Sequence, residues 1–190
     1  MLKRLSNALT RLATRPNLIV FALLFAVVFF LFIPSATRRI EQASGQPANL
    51  LDMRLSYTAE QAQAVFETLG ENGRQAYAQF SMSADLVFPL TYGLFFSTGL
   101  AFLYRRALTE HPQRFSPVFL PLLGMVFDYF ENFTLVALLA EYPNLNPIAL
   151  QAASLFTSIK WLFQAASAVA FAVGLYLFFI HQRRSNSAMK

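Results

Sequence analysis

Residues 119–140 read FLPLLGMVFDYFENFTLVALLA, an apolar run long enough to cross a bilayer, yet Asp128, Glu131 and Asn132 sit at its middle. Their spacing, i, i+3 and i+4, puts all three on one face of a helix. An ionisable side chain at that depth costs about 2.5–3.5 kcal/mol on insertion scales, so partners are expected elsewhere in the chain. Two other apolar segments each carry an intramembrane charge, Asp85 and Lys160. Ser81, Asp85, Phe88 and Tyr92 share one helical face. Thr157, Lys160, Gln164 and Ser167 form a polar stripe on another helix, with Trp161 beside Lys160. The expected intramembrane cluster is therefore Asp85, Tyr92, Asp128, Glu131, Asn132, Lys160 and Gln164.

Depth brings these residues together. Counted from the cytoplasmic end of each helix at ~1.5 Å per residue, the four charges lie roughly 21–31 Å along their helices, in one band of the bilayer. Three carboxylates then face one ammonium, and full ionisation leaves an expensive negative excess in a medium of low dielectric. Three outcomes relieve it. One carboxyl can stay protonated. Arg54 or Arg74 can reach in from the segment outside the membrane. A cation can bind, and all-oxygen ligands suit Mg²⁺, Ca²⁺ or Na⁺ better than zinc.

Other chemistry is excluded by composition. There are no cysteines, so no thiolate and no cysteine metal site. His111 and His181 fall at segment edges, which leaves no histidine cluster in the membrane. No serine–histidine pair or Gly-rich phosphate loop is present, and no motif calls for a cofactor.

The elements that must position the cluster follow from hydropathy. The 190 residues are 56% hydrophobic and 13% charged, about half the charged share of a soluble domain. The chain reads as an all-α polytopic membrane protein with one four-helix membrane domain over residues 1–190. Spans are expected at about 17–33, 84–104, 117–140 and 150–180. Residues 1–16 form a basic cytoplasmic flank or interfacial helix, with an organelle transit peptide as the rival reading. The first run, 17–33, is read as a retained anchor rather than a signal peptide. From Arg74 the helical pattern can continue to Tyr104, with a kink at Pro89. Gly93, Gly99 and Gly124 have no side chain to hold neighbouring helices apart. The last segment is too long to stand upright in the hydrocarbon.

Residues 34–79 mix both charge signs and read as extracytoplasmic. Within them, Thr58-Ala59-Glu60-Gln61 matches a capping box that opens a short amphipathic helix near 59–69. Its stripe of Ala62, Val65, Phe66 and Leu69 must cover either the membrane surface or the rim of the bundle, and Gly70 closes it.

Orientation follows from the basic residues. Lys3, Arg4, Arg11 and Arg15 precede the first span, Arg105, Arg106 and Arg114 lie between the second and third, and Arg183, Arg184 and Lys190 follow the fourth. Only Glu110 among the acids shares that side. The positive-inside rule then puts both termini, including the 181–190 tail, in the cytoplasm. The basic residues flank apolar runs rather than forming a patch, so the net charge of +5 does not point to nucleic acid.

Two runs carry a resemblance: YTAEQAQAVFETLGENGRQAYAQFSMSADLVFPLTYGLFF, and FLPLLGMVFDYFENFTLVALLAEYPN followed by SLFTSIKW. Together they resemble a group of small bacterial four-span membrane proteins of unassigned function. The resemblance covers residues 57–161 and rests on Gly73-Arg74, Asp85, Pro89, Tyr92, Asp128, Glu131-Asn132 and Lys160-Trp161. It implies a bacterial inner membrane and four spans, and it implies no activity. A looser likeness to four-helix sterol-isomerase-type domains rests only on buried acids near a Trp.

The functional expectation is a structural or interaction role, with the cluster fixing helix register. The partners expected are the lipid bilayer, a lipid or cation in the cluster, and a membrane protein or a second copy of the chain. Two alternatives stand beside it. One is a proton- or ion-coupled binding or transport site. The other is a lipid-modifying enzyme that uses carboxylate acid–base chemistry.

Overall fold

The computed structural model describes residues 2–107 and 117–188. The sequence expectations for Glu110, His111, Arg114 and Lys190 lie outside the described residues. Every regular element among the described residues is helical: α1 (Leu2–Leu12), α2 (Arg15–Val27), α3 (Ile33–Ser44), α4 (Ala59–Ser81), α5 (Ala84–Ala107), α6 (Leu120–Glu141) and α7 (Pro147–Ala188), with short 3₁₀ turns at Leu51–Met53 and Pro117–Phe119. Four helical stretches are long and apolar enough to cross a membrane. The protein is an all-α polytopic membrane protein.

The first span does not end at Ile33. α2 and α3 form one continuous helix, joined by a π-helical turn over Val28–Phe32. Pro34 explains the turn. A proline inside a helix lacks an N–H, and its ring crowds the carbonyl four residues back, here that of Phe30. Widening the helix around Phe30 makes room, and the Ile33 N–H bonds the Val28 carbonyl five residues away. The helix continues to Gly45, whose φ of 67° closes it. One side of this span faces outward, with Ile19, Leu23 and Phe30 largely exposed where lipid would lie. The other side stacks Phe25 on Phe88 and Phe95 of α5, with ring centroids 5.9 and 5.7 Å apart.

The capping box at Thr58 is formed. Gln61 donates its N–H to the Thr58 hydroxyl at 3.3 Å, and its side-chain oxygen accepts the Thr58 N–H at 2.9 Å. Gly70 breaks α4 with φ 62° and ψ −178°, a conformation essentially confined to glycine. The helix resumes at once and runs to Ser81, so α4 is two helical pieces around a kink. The apolar stripe covers the bundle rim: Phe66 and Leu69 pack in one core with Ile40, Leu51, Leu138 and Leu150. This core forms a cap over one end of the membrane helices.

The expected run from Arg74 to Tyr104 is interrupted at Met82–Ser83, and α5 begins anew at Ala84. The break puts Asp85 in the first turn of α5. Gly99 takes the ring of Phe171, and a Cβ there would lie 2.6 Å from its Cε2. Gly124 has ordinary spacing instead, with its nearest neighbour 3.5 Å from an added Cβ, so no tight approach depends on it. Asn146 caps α7 by accepting the Ile148 N–H at 2.9 Å, with Pro147 as first residue. α7 then runs 42 residues, about 63 Å at 1.5 Å per residue, twice the hydrocarbon thickness.

Candidate functional site: an acid cluster beside a lateral cavity

Lys160 is the hub. It projects from α7, is 5% exposed, and its Nζ stands 2.5 Å from Glu131 Oε2 and 3.6 Å from Asp128 Oδ1, both on α6. Its third neighbour is the backbone carbonyl of Asp52 at 3.2 Å. An ammonium has three N–H groups, and here three oxygens surround it. Glu131 and Asp128 share a helical face, so one lysine reaches both.

Each acid but one has its own neutral donor. The Thr157 hydroxyl donates to Glu131 Oε1 at 2.5 Å. The Tyr92 hydroxyl donates to Asp128 Oδ2 at 3.1 Å. Asp52 Oδ1 accepts the Tyr77 hydroxyl at 2.6 Å, and the Tyr77 oxygen in turn accepts the Leu51 N–H at 3.1 Å. Asp85 is the exception: it is 5% exposed, and its Oδ2 has no partner among the described residues.

Asn132 joins the cluster through the backbone. Its Nδ2 donates to the Asp85 carbonyl at 2.9 Å. That carbonyl lies four residues before Pro89, which has no N–H to offer it. The proline thus frees an acceptor, and Asn132 on α6 satisfies it.

Asp52 and Tyr77 are absent from the sequence-based site. Asp52 lies outside every apolar run, in a 3₁₀ turn of the segment between α3 and α4. Tyr77 pins that turn from α4. Two serines of α7 hold the residues just after the turn: Ser154 Oγ accepts the Tyr57 N–H at 3.0 Å, and Ser158 Oγ donates to the Leu55 carbonyl at 2.9 Å. A lone acid between Leu50-Leu51 and Met53 was the one available signal. Asp52 makes the imbalance larger, with four carboxylates now near one ammonium. Arg74 does not relieve it. Its guanidinium bonds the Phe66 carbonyl at 2.9 Å and lies over the Tyr142 ring. Arg54 lines a separate depression with Gln61 and Thr68. Among the described residues no three acids or histidines converge on one point, so the cluster lacks the shape of a metal cradle.

A cavity of about 600 Å³ adjoins the cluster. Its polar wall carries Asp52, Asp85, Asp128, Lys160, Tyr92 and Gln164; its apolar wall comes from Phe25, Phe29, Phe88 and Phe96. Gln164 therefore sits on the cavity side, near Tyr92, rather than in the ion-pair network. Trp161 also lines the cavity, and its Nε1 has no partner among the described residues. The rim includes Phe29 of the π-turn and Ala165 and Ala168 of α7, all exposed on the face where lipid would lie. The opening is thus lateral, between the first span and α7. Compared with known proteins, the chain matches no family model, no curated protein and no solved structure.

Proposed function

We propose that this is a membrane protein that binds an amphiphile taken from the bilayer, its apolar part in the lateral cavity and its polar part at the acid cluster. One observation carries the reading: a mostly apolar cavity of about 600 Å³, within the usual range for ligand sites, ends on buried charged groups and opens toward lipid. In this reading the cluster divides its work. Lys160, Glu131 and Asp128 tie α6 to α7 and serve structure, whereas Asp85 and Gln164 face the ligand.

Filling the entrance tests it. Ala165→Phe combined with Ala168→Phe adds bulk at the rim of the opening, at two exposed positions of α7 that are not packed in the core. After delipidation and exposure to a membrane lipid extract, native mass spectrometry is expected to show one retained amphiphile on the natural protein and loss of it in the variant. Equal retention by both proteins would sink the reading.

We propose in addition that the chain lies in a bacterial inner membrane with both termini in the cytoplasm. The basic residues flanking α2, α5 and α7 support the orientation. Reporter fusions at residues 45 and 190 are expected on opposite sides, and a shared compartment would refute the orientation.

A further inference from the structure

We propose that the amphiphile carries a protonated amine and that Asp85 is its counter-ion; this rests on the cavity reading above. Lys160 shows why an anionic head is a poor fit. A phosphate or carboxylate entering the cavity would seek the ammonium, but its three N–H groups already face Glu131, Asp128 and the Asp52 carbonyl. An anion would also meet a cluster with more carboxylates than cations.

Asp85 has the opposite character. It lines the cavity, is 5% exposed, and among the described residues its Oδ2 is the one buried carboxylate oxygen of the cluster with neither a hydrogen bond nor an ion pair. Its position in the first turn of α5 puts its carboxyl at the positive end of that helix, which favours the carboxylate once an ammonium docks beside it. The other three acids have tyrosine, threonine or lysine donors. A buried carboxylate without a donor costs free energy, and a ligand N⁺–H would supply a charge-assisted bond. Trp161 Nε1, also unpartnered on the cavity wall, offers a donor for an oxygen beside the amine.

The protein contains its own reporter. Trp161 is the sole tryptophan of the chain, and it lines the cavity. Brominated amphiphiles that enter should quench its fluorescence. We would titrate chain-dibrominated dodecylamine, dodecanol and dodecanoate into the full-length protein in dodecyl maltoside at pH 7. The amine is expected to saturate at a concentration roughly tenfold below the alcohol, as a charge-assisted bond implies, with the carboxylate weakest. Asp85→Asn should abolish the difference between amine and alcohol measured on that same variant, while Asp85→Glu should retain the preference. Equal quenching by amine and alcohol in the natural protein overturns the inference even if no variant folds. So does an amine preference that survives Asp85→Asn. Absence of saturable quenching by all three probes overturns the cavity reading itself. Unbrominated phosphatidylethanolamine then distinguishes the sources: competition with the amine assigns the group to a lipid head, and its lack assigns it to a free lipophilic amine.

Discussion

Lys160→Met is expected to destabilise the protein by about 3–5 kcal/mol, because it leaves the carboxylates of Glu131 and Asp128 buried without their cation. The loss should appear as low abundance in membranes and a lower unfolding midpoint in detergent. The second substitution carries the argument. Glu131→Gln in the Lys160→Met background should recover much of the loss, since the amide keeps an acceptor for Thr157 and removes the stranded charge. Asp128→Asn should recover less. Its Oδ1 stands 3.6 Å from the ammonium against 2.5 Å for Glu131, and Tyr92 continues to hold its other oxygen. Glu131→Gln alone should be milder than Lys160→Met, because Lys160 keeps Asp128 as counter-ion. Such coupling is expected only between groups in contact. Strict additivity of the Lys160 and Glu131 changes would show that the ion pair does not hold α6 to α7.

Much of this arrangement is legible in the sequence, and the reason is cost. A charge inside an apolar run must find a partner, so the depths of Asp128, Glu131 and Lys160 already imply a meeting point. Helical periodicity then puts Tyr92 with Asp85, and Thr157 with Lys160, on common faces. Local chemistry likewise marks the capping box at Thr58, the break at Gly70 and the start of α7 at Asn146.

Two features were not legible, for different physical reasons. Asp52 escaped because its position depends on contacts far along the chain: Tyr77 from α4, and Ser154 and Ser158 of α7, which hold Leu55 and Tyr57 nearby. Hydropathy gives no weight to a lone acid in a polar connecting segment. The π-turn escaped because the apolar run ends at Ile33, directly before Pro34. The end of the apolar run and the proline coincide there, yet a locally widened helix accommodates the ring and carries the chain on to Ser44. The cavity depends on both. The turn places Phe29 at its rim, and the Asp52 segment roofs it.

Asn132→Leu is expected to cost about 1–3 kcal/mol, the range for leaving a buried acceptor unsatisfied. The acceptor is the Asp85 carbonyl, which the proline at position 89 leaves without its helical partner. Leucine repeats the branched shape of asparagine, so packing should change little. It also removes the Asn132 Oδ1, which has no partner of its own, and this tempers the loss. Pro89→Ala supplies the missing N–H within α5. In that background the Asp85 carbonyl no longer needs Asn132, and Asn132→Leu should cost less than about 1 kcal/mol. Urea unfolding of the four purified proteins in one detergent measures both costs. If Asn132→Leu is equally damaging with alanine at position 89, the amide is serving some group other than that carbonyl. If the cost vanishes as expected, α5 and α6 are joined because one helix gives up a backbone bond and the other replaces it.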